Sequence, residues 1–271
     1  MQAPRFDTTE PLLHRVLTLR SASDILFPSS VSSASEKADI RARLAIYAYN
    51  VKEPHIQVER AYTPLYALAR PDPRDLQLLV KRYRDGEVSR YLHRVRPGTD
   101  VSLRGPEVTW QLRDDTPIPE EIVMLVAGTG VTTAHQLLSN VFDSGAITPT
   151  TPRITVLYAA PTMDSLQLIP ELNRYQKKFA SHVSVRAYVE SMPLLRHASV
   201  TSAQGEAVPA ALAPRMSFTE HLTSLLLGRR KQWDLVMVPS TLSVVQGRIE
   251  SEDLASYLPQ PHHRRLVLGG T

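Results

Sequence analysis

The 271-residue chain contains no cysteine, which removes disulfides, thiolate metal sites and cysteine nucleophiles from consideration. That absence leaves the compartment open, because cytosolic and mitochondrial proteins both do without disulfides. No stretch approaches the roughly 18 consecutive apolar residues of a membrane-spanning helix, so no membrane span is expected. The N-terminus lacks a signal-peptide apolar core, and its Arg5 and Arg15 are offset by Asp7 and Glu10, a poor presequence. Long basic runs are missing too. The net charge is only +4 and the arginines are scattered, so nucleic-acid binding is not expected. A modest basic face would still suit an acidic protein partner. There is no internal repeat.

The usual catalytic signatures are absent as well. Ser89, Ser240 and Ser243 lack the G-x-S-x-G frame of a nucleophile elbow. His262-His263 runs into Arg264-Arg265 in an expected loop, a poor metal site, and no pair of carboxylates stands out as an acid/base dyad. A chain without its own catalytic constellation fits a protein whose cofactors carry the chemistry.

What is present divides into two textures. Apolar residues make up 42% and charged residues 21%, ordinary for a globular protein, and the length suggests two domains. Residues 1–118 hold short apolar runs between Pro, Gly, Ser and charged turns, such as 45–49, 76–83 and 100–103. That spacing predicts an antiparallel barrel or sandwich, with one short helix over 88–95. After Thr116-Pro117-Ile118-Pro119 the pattern changes. Strands are expected at 121–127, 154–158, 183–188, 235–238 and 266–268, with helices at 132–142, 165–179, 218–227 and 253–258. Residues 198–215 read as a loop or a disordered insertion. Alternation of this kind predicts a parallel α/β sheet. The expected division is 1–118 and 119–271.

Three short stretches carry chemistry. In Arg60-Ala61-Tyr62-Thr63, residues two apart on a strand share a face. A guanidinium fork suited to pyrophosphate and a flat ring suited to stacking would point the same way. The alternative is an ordinary strand with an exposed Arg and a packed Tyr. Gly86-Glu87-Val88-Ser89 opens the short helix. Ser89 is an N-cap type of residue, and helix N-termini gather anions; a plain capped helix is the other reading. Lys81 and Tyr83 alternate just before it. A lysine such as Lys81 is more often just a solvated charge. Ala127-Gly128-Thr129-Gly130 follows an apolar strand and precedes a helix, the context a phosphate-binding turn needs. Position 133 is Thr, so the full G-x-G-x-x-G is not there, and a ligand-free turn stays open.

Taken in this order, the motifs resemble those of the ferredoxin-NADP reductase superfamily and, within it, the NADH–cytochrome b5 reductase branch. The R-x-Y-[ST] motif of that family is similar to Arg60–Thr63, and its G-x-x-S to Gly86–Ser89. Its V-R-G-P is similar to Leu103–Pro106, and its G-G-T-G-I-T-P to Ala127–Thr133. The stretch Val51–Arg60 resembles a fungal mitochondrial subgroup implicated in haem attachment to cytochrome c. The resemblance implies a six-stranded antiparallel β-barrel for FAD followed by a parallel α/β domain for NAD(P)H. It implies electron transfer from reduced flavin to a cytochrome-like haem protein, or an assembly role with weak or no turnover. Mitochondrial localisation is implied, with cytoplasmic as the alternative.

By the same resemblance Arg60 and Ser89 hold pyrophosphate, Tyr62 stacks on the flavin and Thr63 meets its edge. Lys81, Tyr83, Gly86 and Val88 complete the flavin site. Gly128, Thr129, Gly130 and Thr132 line the nicotinamide nucleotide, with Thr63 and Thr132 nearest the reaction. The chain departs from the pattern at Ala127 and Thr133. Its closing Leu268-Gly269-Gly270-Thr271 stands where the family has C-G-P-P-x-M. A C-terminal truncation of the second domain is therefore expected, and no acidic residue marks NADH preference near Pro239-Ser240.

Overall fold

In the computed structural model, residues 14–21, 40–65, 74–143, 147–191, 242–255, 257 and 264–270 are described. Six strands fill the first part: β1 (His14–Arg20), β2 (Ala45–Lys52), β3 (Glu59–Tyr62), β4 (Pro64–Leu65), β5 (Asp75–Lys81) and β6 (Ser102–Gln111). The pairings are antiparallel. They form two three-stranded sheets, β1-β5-β4 and β3-β2-β6, rather than one continuously bonded ring. The sheets close on each other where β2 meets β4 and β3 meets β5. Between them Leu17, Tyr49, Val51, Leu76, Leu78, Val80, Val88 and Leu92 make an apolar core.

Two helices accompany these strands. The short α1 (Ile40–Arg43) leads into β2. The eight-residue α2 (Glu87–Arg94) follows β5 and lays Val88 and Leu92 on the core. Arg15 of β1 donates to the carbonyls of Leu92, His93 and Val95. A cation thus meets the negative end of the helix, where such charge is favourable.

The second part is a five-stranded parallel sheet. Its strands are β7 (Glu121–Ala127), β8 (Arg153–Thr162), β9 (Val183–Ser191), β10 (Ser243–Gln246) and β11 (Arg265–Gly270). The order is β10-β9-β8-β7-β11. Parallel strands covered on both faces read as near-continuous apolar runs, and β7 does so with Ile122, Val123, Met124 and Val126 buried. Helix α3 (Val131–Phe142) follows β7, and α4 (Ile169–Lys178) follows β8. The helix expected over 165–179 starts only at Ile169. A 3-10 turn over Met163–Ser165 and a left-handed Leu168 precede it, and Pro170 sits in its first turn, where a missing N–H costs nothing. The last helix, α5 (Ser251–Ala255), starts two residues earlier than expected, and residues 256 and 258 lie outside the described residues.

Strand β10 was not foreseen, because Ser243-Val244-Val245-Gln246 is too short a run to stand out. Strand β1 escaped for a related reason: its polar residues alternate with few apolar ones. The strand expected over 235–238, the helix over 218–227, the insertion over 198–215, Pro239-Ser240 and His262-His263 lie outside the described residues.

The main core runs through both parts. Ile40, Leu44, Ile46, Leu65, Leu79 and Leu112 share one buried cluster with Leu137, Leu138 and Val141 of α3 and the inner faces of β7 and β8. Burying each such side chain contributes about 1.5–3 kcal/mol. Helix α3 is packed on nearly every side, which is why so much of it is buried.

Candidate functional site

The order of the parallel sheet changes direction at β7, with β8 on one flank and β11 on the other. Ligands of open α/β sheets settle in the crevice beyond the carboxyl ends of strands at such a point. The chain leaves β7 there through one 3-10 turn, Gly128–Gly130, and enters α3 at once. Gly128 has φ +53° and open space around its Cα, a left-handed conformation that favours glycine. Gly130 is buried and helical.

The mouth of this turn faces the antiparallel part across a cavity of about 380 Å³. One wall is β3 and its exit: Arg60, Ala61, Tyr62 and Thr63. A second is the end of β5 and the entry to α2: Lys81, Tyr83, Asp85, Gly86, Glu87, Val88 and Ser89. The third is Thr129, Gly130, Thr132 and Thr133, with Val58 and Leu79 completing the lining. Of the residues singled out in the sequence, Arg60, Tyr62, Thr63, Lys81, Tyr83, Gly86, Val88, Ser89, Thr129, Gly130 and Thr132 meet here. Gly128 does not line the cavity, and neither does Leu103–Pro106, which lies on β6.

Arg60 is exposed, and its guanidinium donates to the Glu59 carbonyl. Its own neighbour Glu59 is committed elsewhere: Arg104 reaches across β2 to bind it at 2.8 Å and also pairs with Glu107. Arg60 therefore forms no ion pair among the described residues and keeps donors for an anion. Burial pushes the Tyr62 phenol up to about 12, with Tyr83 adding to the rise and Arg60 opposing it, so the ring stays neutral. Thr63 lies between β3 and β4, outside either strand. Tyr83 falls just past the end of β5, so it does not alternate on a strand with Lys81. The two still meet, with Lys81 Nζ 5.3 Å from the ring centre.

Ser89 is not the N-cap of α2. Gly86 holds that position, with no side-chain cap. The Ser89 hydroxyl lies inside the turn, donating to the Gly86 carbonyl at 2.9 Å and accepting from the Tyr83 N–H at 3.2 Å. Ser89 is the third helical residue, and a hydroxyl there can fold back on the turn instead of capping it. The consequence is a helix end with no side chain over its N–H groups, which favours anions. Thr132 and Thr133 likewise donate to the carbonyls of Thr129 and Gly130, bracing the turn.

Asp85 was not picked out from the sequence, and Glu87 and Thr133 were named there within motifs but not as site residues. The signal was available for two of them. Both carboxylates flank Gly86 at a helix start, within one turn of an expected anion site. Among the described residues no cluster of side chains suits a metal ion, and no helix is long and apolar enough to cross a membrane.

The cavity fits a flavin dinucleotide in its donor set. It offers a guanidinium with no ion pair among the described residues, an open helix N-terminus, a neutral aromatic ring and a second helix start opposite. Comparisons with known proteins agree. Residues 31–112 match the family described as the oxidoreductase FAD-binding domain. An uncharacterized FAD-binding protein of Schizosaccharomyces pombe is 41% identical over 34% of this chain and 32% of its own length. NADH-cytochrome b5 reductase 2 of Saccharomyces cerevisiae is 27% identical over 54% of this chain and 46% of its own. The cytochrome c mitochondrial import factor CYC2 of the same species is 26% identical over 34% and 37%. The chain thus spans between about a third and a half of the length of these curated relatives. Among solved structures, the cytochrome b5 reductase domain of Ulva prolifera nitrate reductase superposes with a TM-score of 0.52 at 19% identity, over 83% of this chain and 74% of that one. This is a likeness of fold: antiparallel sheets followed by a parallel α/β sheet.

Proposed function

Starting from a chain that carries an oxidoreductase FAD-binding domain of the ferredoxin-NADP reductase type, we propose that the protein is an FAD-dependent NAD(P)H oxidoreductase that passes electrons to a cytochrome-like haem protein. The observation that carries this reading is the shared cavity. The β3–α2 wall and the β7–α3 turn face one space, so the reacting ends of ligands held on the two walls would meet there.

Bound FAD would accept a hydride from NAD(P)H and release electrons singly to a haem. The residues supply binding and placement. Arg60 and the open end of α2 hold the pyrophosphate, each with N–H groups. Gly86 lets Ser89 and Tyr83 pack tightly behind that end. Tyr62 offers its neutral ring as a stacking face, and Thr63 meets the edge of the flavin. Lys81 and Tyr83 flank the adenylate half, and Val88 supplies apolar contact. Across the cavity Thr129, Gly130 and Thr132 shape the nicotinamide subsite, while Gly128 gives the turn its left-handed bend. The division into an FAD part over 1–118 and a nucleotide part over 119–271 follows from this assignment.

The likeness to a cytochrome c import factor supports a second reading. In it the protein holds FAD in mitochondria and serves haem-protein assembly with little turnover. Anaerobic stopped-flow at 450 nm separates the two. Bleaching of bound flavin by NADH or NADPH, followed by reduction of an added cytochrome, is expected for the oxidoreductase. Flavin that stays oxidised with either nucleotide would leave the assembly role. A purified chain without visible flavin absorbance would overturn both.

A further inference from the structure

We propose that Gln136 and Asn140 of α3 are positioning residues for hydride transfer, acting as a substitute strand that bonds the nucleotide wall of the cavity to the flavin wall. The proposal rests on the reading of the cavity as a shared FAD and NAD(P)H site.

Strand β2 explains why such a device is needed. Its C-terminal half, Tyr49–Lys52, is paired along one edge by β3. No strand is hydrogen-bonded to that edge of its N-terminal half among the described residues, because β3 ends opposite Tyr49. The other edge is taken by β6, with shifts of register beside Tyr47. Residues two apart in a strand send their amide groups to the same edge. Ala45 and Tyr47 therefore present theirs where β3 has run out. Buried backbone amides without partners are costly.

Helix α3 fills the gap with side chains. The Gln136 Oε1 accepts the Tyr47 N–H at 2.8 Å, and its Nε2 donates to the Tyr47 carbonyl at 3.2 Å. The carboxamide thus makes the two-point contact that a paired strand residue would make. One turn later Asn140 Nδ2 donates to the Ala45 carbonyl at 2.8 Å. The two side chains are four apart, so they share a helix face, and they are 0% and 1% exposed. Gln136 lies one turn beyond Thr132 and Thr133, which line the cavity. Strand β2 leads through one turn into β3, which bears Arg60 and Tyr62. Three hydrogen bonds between rigid elements thereby fix the separation of the two subsites. Apolar packing alone would let α3 slide along β2, whereas paired amides allow one register.

Gln136→Met keeps the length and removes both bonds. Asn140→Leu removes the third. Hydride transfer is sensitive to placement, and a shift of about 1 Å costs on the order of 100-fold. In flavin-loaded protein the limiting rate of reduction at saturating NADH is expected to fall at least ~10-fold in Gln136→Met, with KM and FAD content within about twofold of wild type. Gln136→Glu adds a readout that bulk destabilisation does not give. Its protonated carboxyl can accept from the Tyr47 N–H and donate to the Tyr47 carbonyl, but the carboxylate cannot donate. Its rate relative to wild type should therefore rise as pH falls. Wild-type limiting rates in both Gln136→Met and Asn140→Leu, or losses that merely track lost FAD, would overturn the proposal. If Gln136→Met does not fold, the pH trend of Gln136→Glu decides, and a flat ratio overturns it. If wild-type protein is reduced by neither nucleotide, the functional reading fails on its own account. Hydrogen exchange then judges the clamp. Faster exchange at the Tyr47 amide together with 130–133 in Gln136→Met supports it, and unchanged exchange at both sinks it.

Discussion

At the scale of single residues, the flavin end of the cavity is a contest between charges. Arg60 offers a guanidinium, yet Asp85 and Glu87 face the same space. A charge-assisted hydrogen bond contributes about 1.5–3 kcal/mol, so Arg60→Ala is expected to weaken FAD binding roughly 10- to 100-fold. Titration of apoprotein followed by flavin fluorescence measures it, and an unchanged affinity would remove Arg60 from the phosphate site. Glu87 should act in the opposite direction. Its side chain is 55% exposed and lies 4.0 Å from Arg90, so its repulsion of a pyrophosphate is largely screened. A residual Coulomb effect of about 0.6 kcal/mol predicts roughly threefold tighter FAD binding in Glu87→Gln, fading at high salt. A salt-independent gain, or none, would place the phosphates away from the start of α2.

Among the elements, α2 shows how close the packing is at the entry to this site. A Cβ on Gly86 would lie 2.6 Å from Ser89 Oγ and 2.9 Å from Tyr83 Cβ. Its backbone is ordinary, φ −90°, so space and not conformation demands glycine here. Gly86→Ala must displace the Ser89 hydroxyl, which bridges the turn, and the Tyr83 Cβ beside it. Overpacking of this kind costs about 1–3 kcal/mol. The expected result is a lower urea midpoint together with weaker FAD binding; a neutral substitution would mean that the turn relaxes freely. Ser89 also shows where reading the sequence falls short. A serine near a helix start suggests a cap, but whether its oxygen turns outward or into the turn depends on Tyr83, four residues before the helix. The strands at 45–49, 121–127 and 183–188 were legible because burial leaves unbroken apolar runs. The Gly128-Thr129-Gly130 turn was legible from its setting between strand and helix. Asp85 and Glu87 could have been found from their place beside Gly86, but carboxylates at a helix start also look like ordinary dipole partners. Gln136 and Asn140 were invisible for a different reason: their partners are backbone groups some ninety residues earlier, and no local pattern encodes that meeting.

For the whole molecule, acid should be the weak side. Burial pushes the His135 imidazole down to about 4, with Asp143 opposing and Arg174 adding to the fall. The ring is 1% exposed and meets Tyr175 edge-on. A folded pKa below the unfolded value of 6.5 means the unfolded chain takes up the proton first. Stability from this residue is therefore complete above the unfolded value and is lost as pH falls toward the folded one. Between pH 7 and pH 5 the loss amounts to about 2 kcal/mol. His14 shifts the same way, through burial and then the charges of Lys81 and His93. Urea midpoints measured across that range should fall steadily, with a shallower slope in His135→Leu. An equal slope in the variant would show that His135 does not titrate with unfolding. The core that encloses these groups has a consequence for modularity. Ile46, Leu65, Leu79 and Leu112 belong to the same buried cluster as α3 and β7. Severed near residue 118, the first half would present that apolar wall to water and lose the bonds that α3 makes to the Ala45 carbonyl and to the Tyr47 N–H and carbonyl. The FAD half is thus no interchangeable cassette: a chimera that borrows it must also borrow the helix that leans against it.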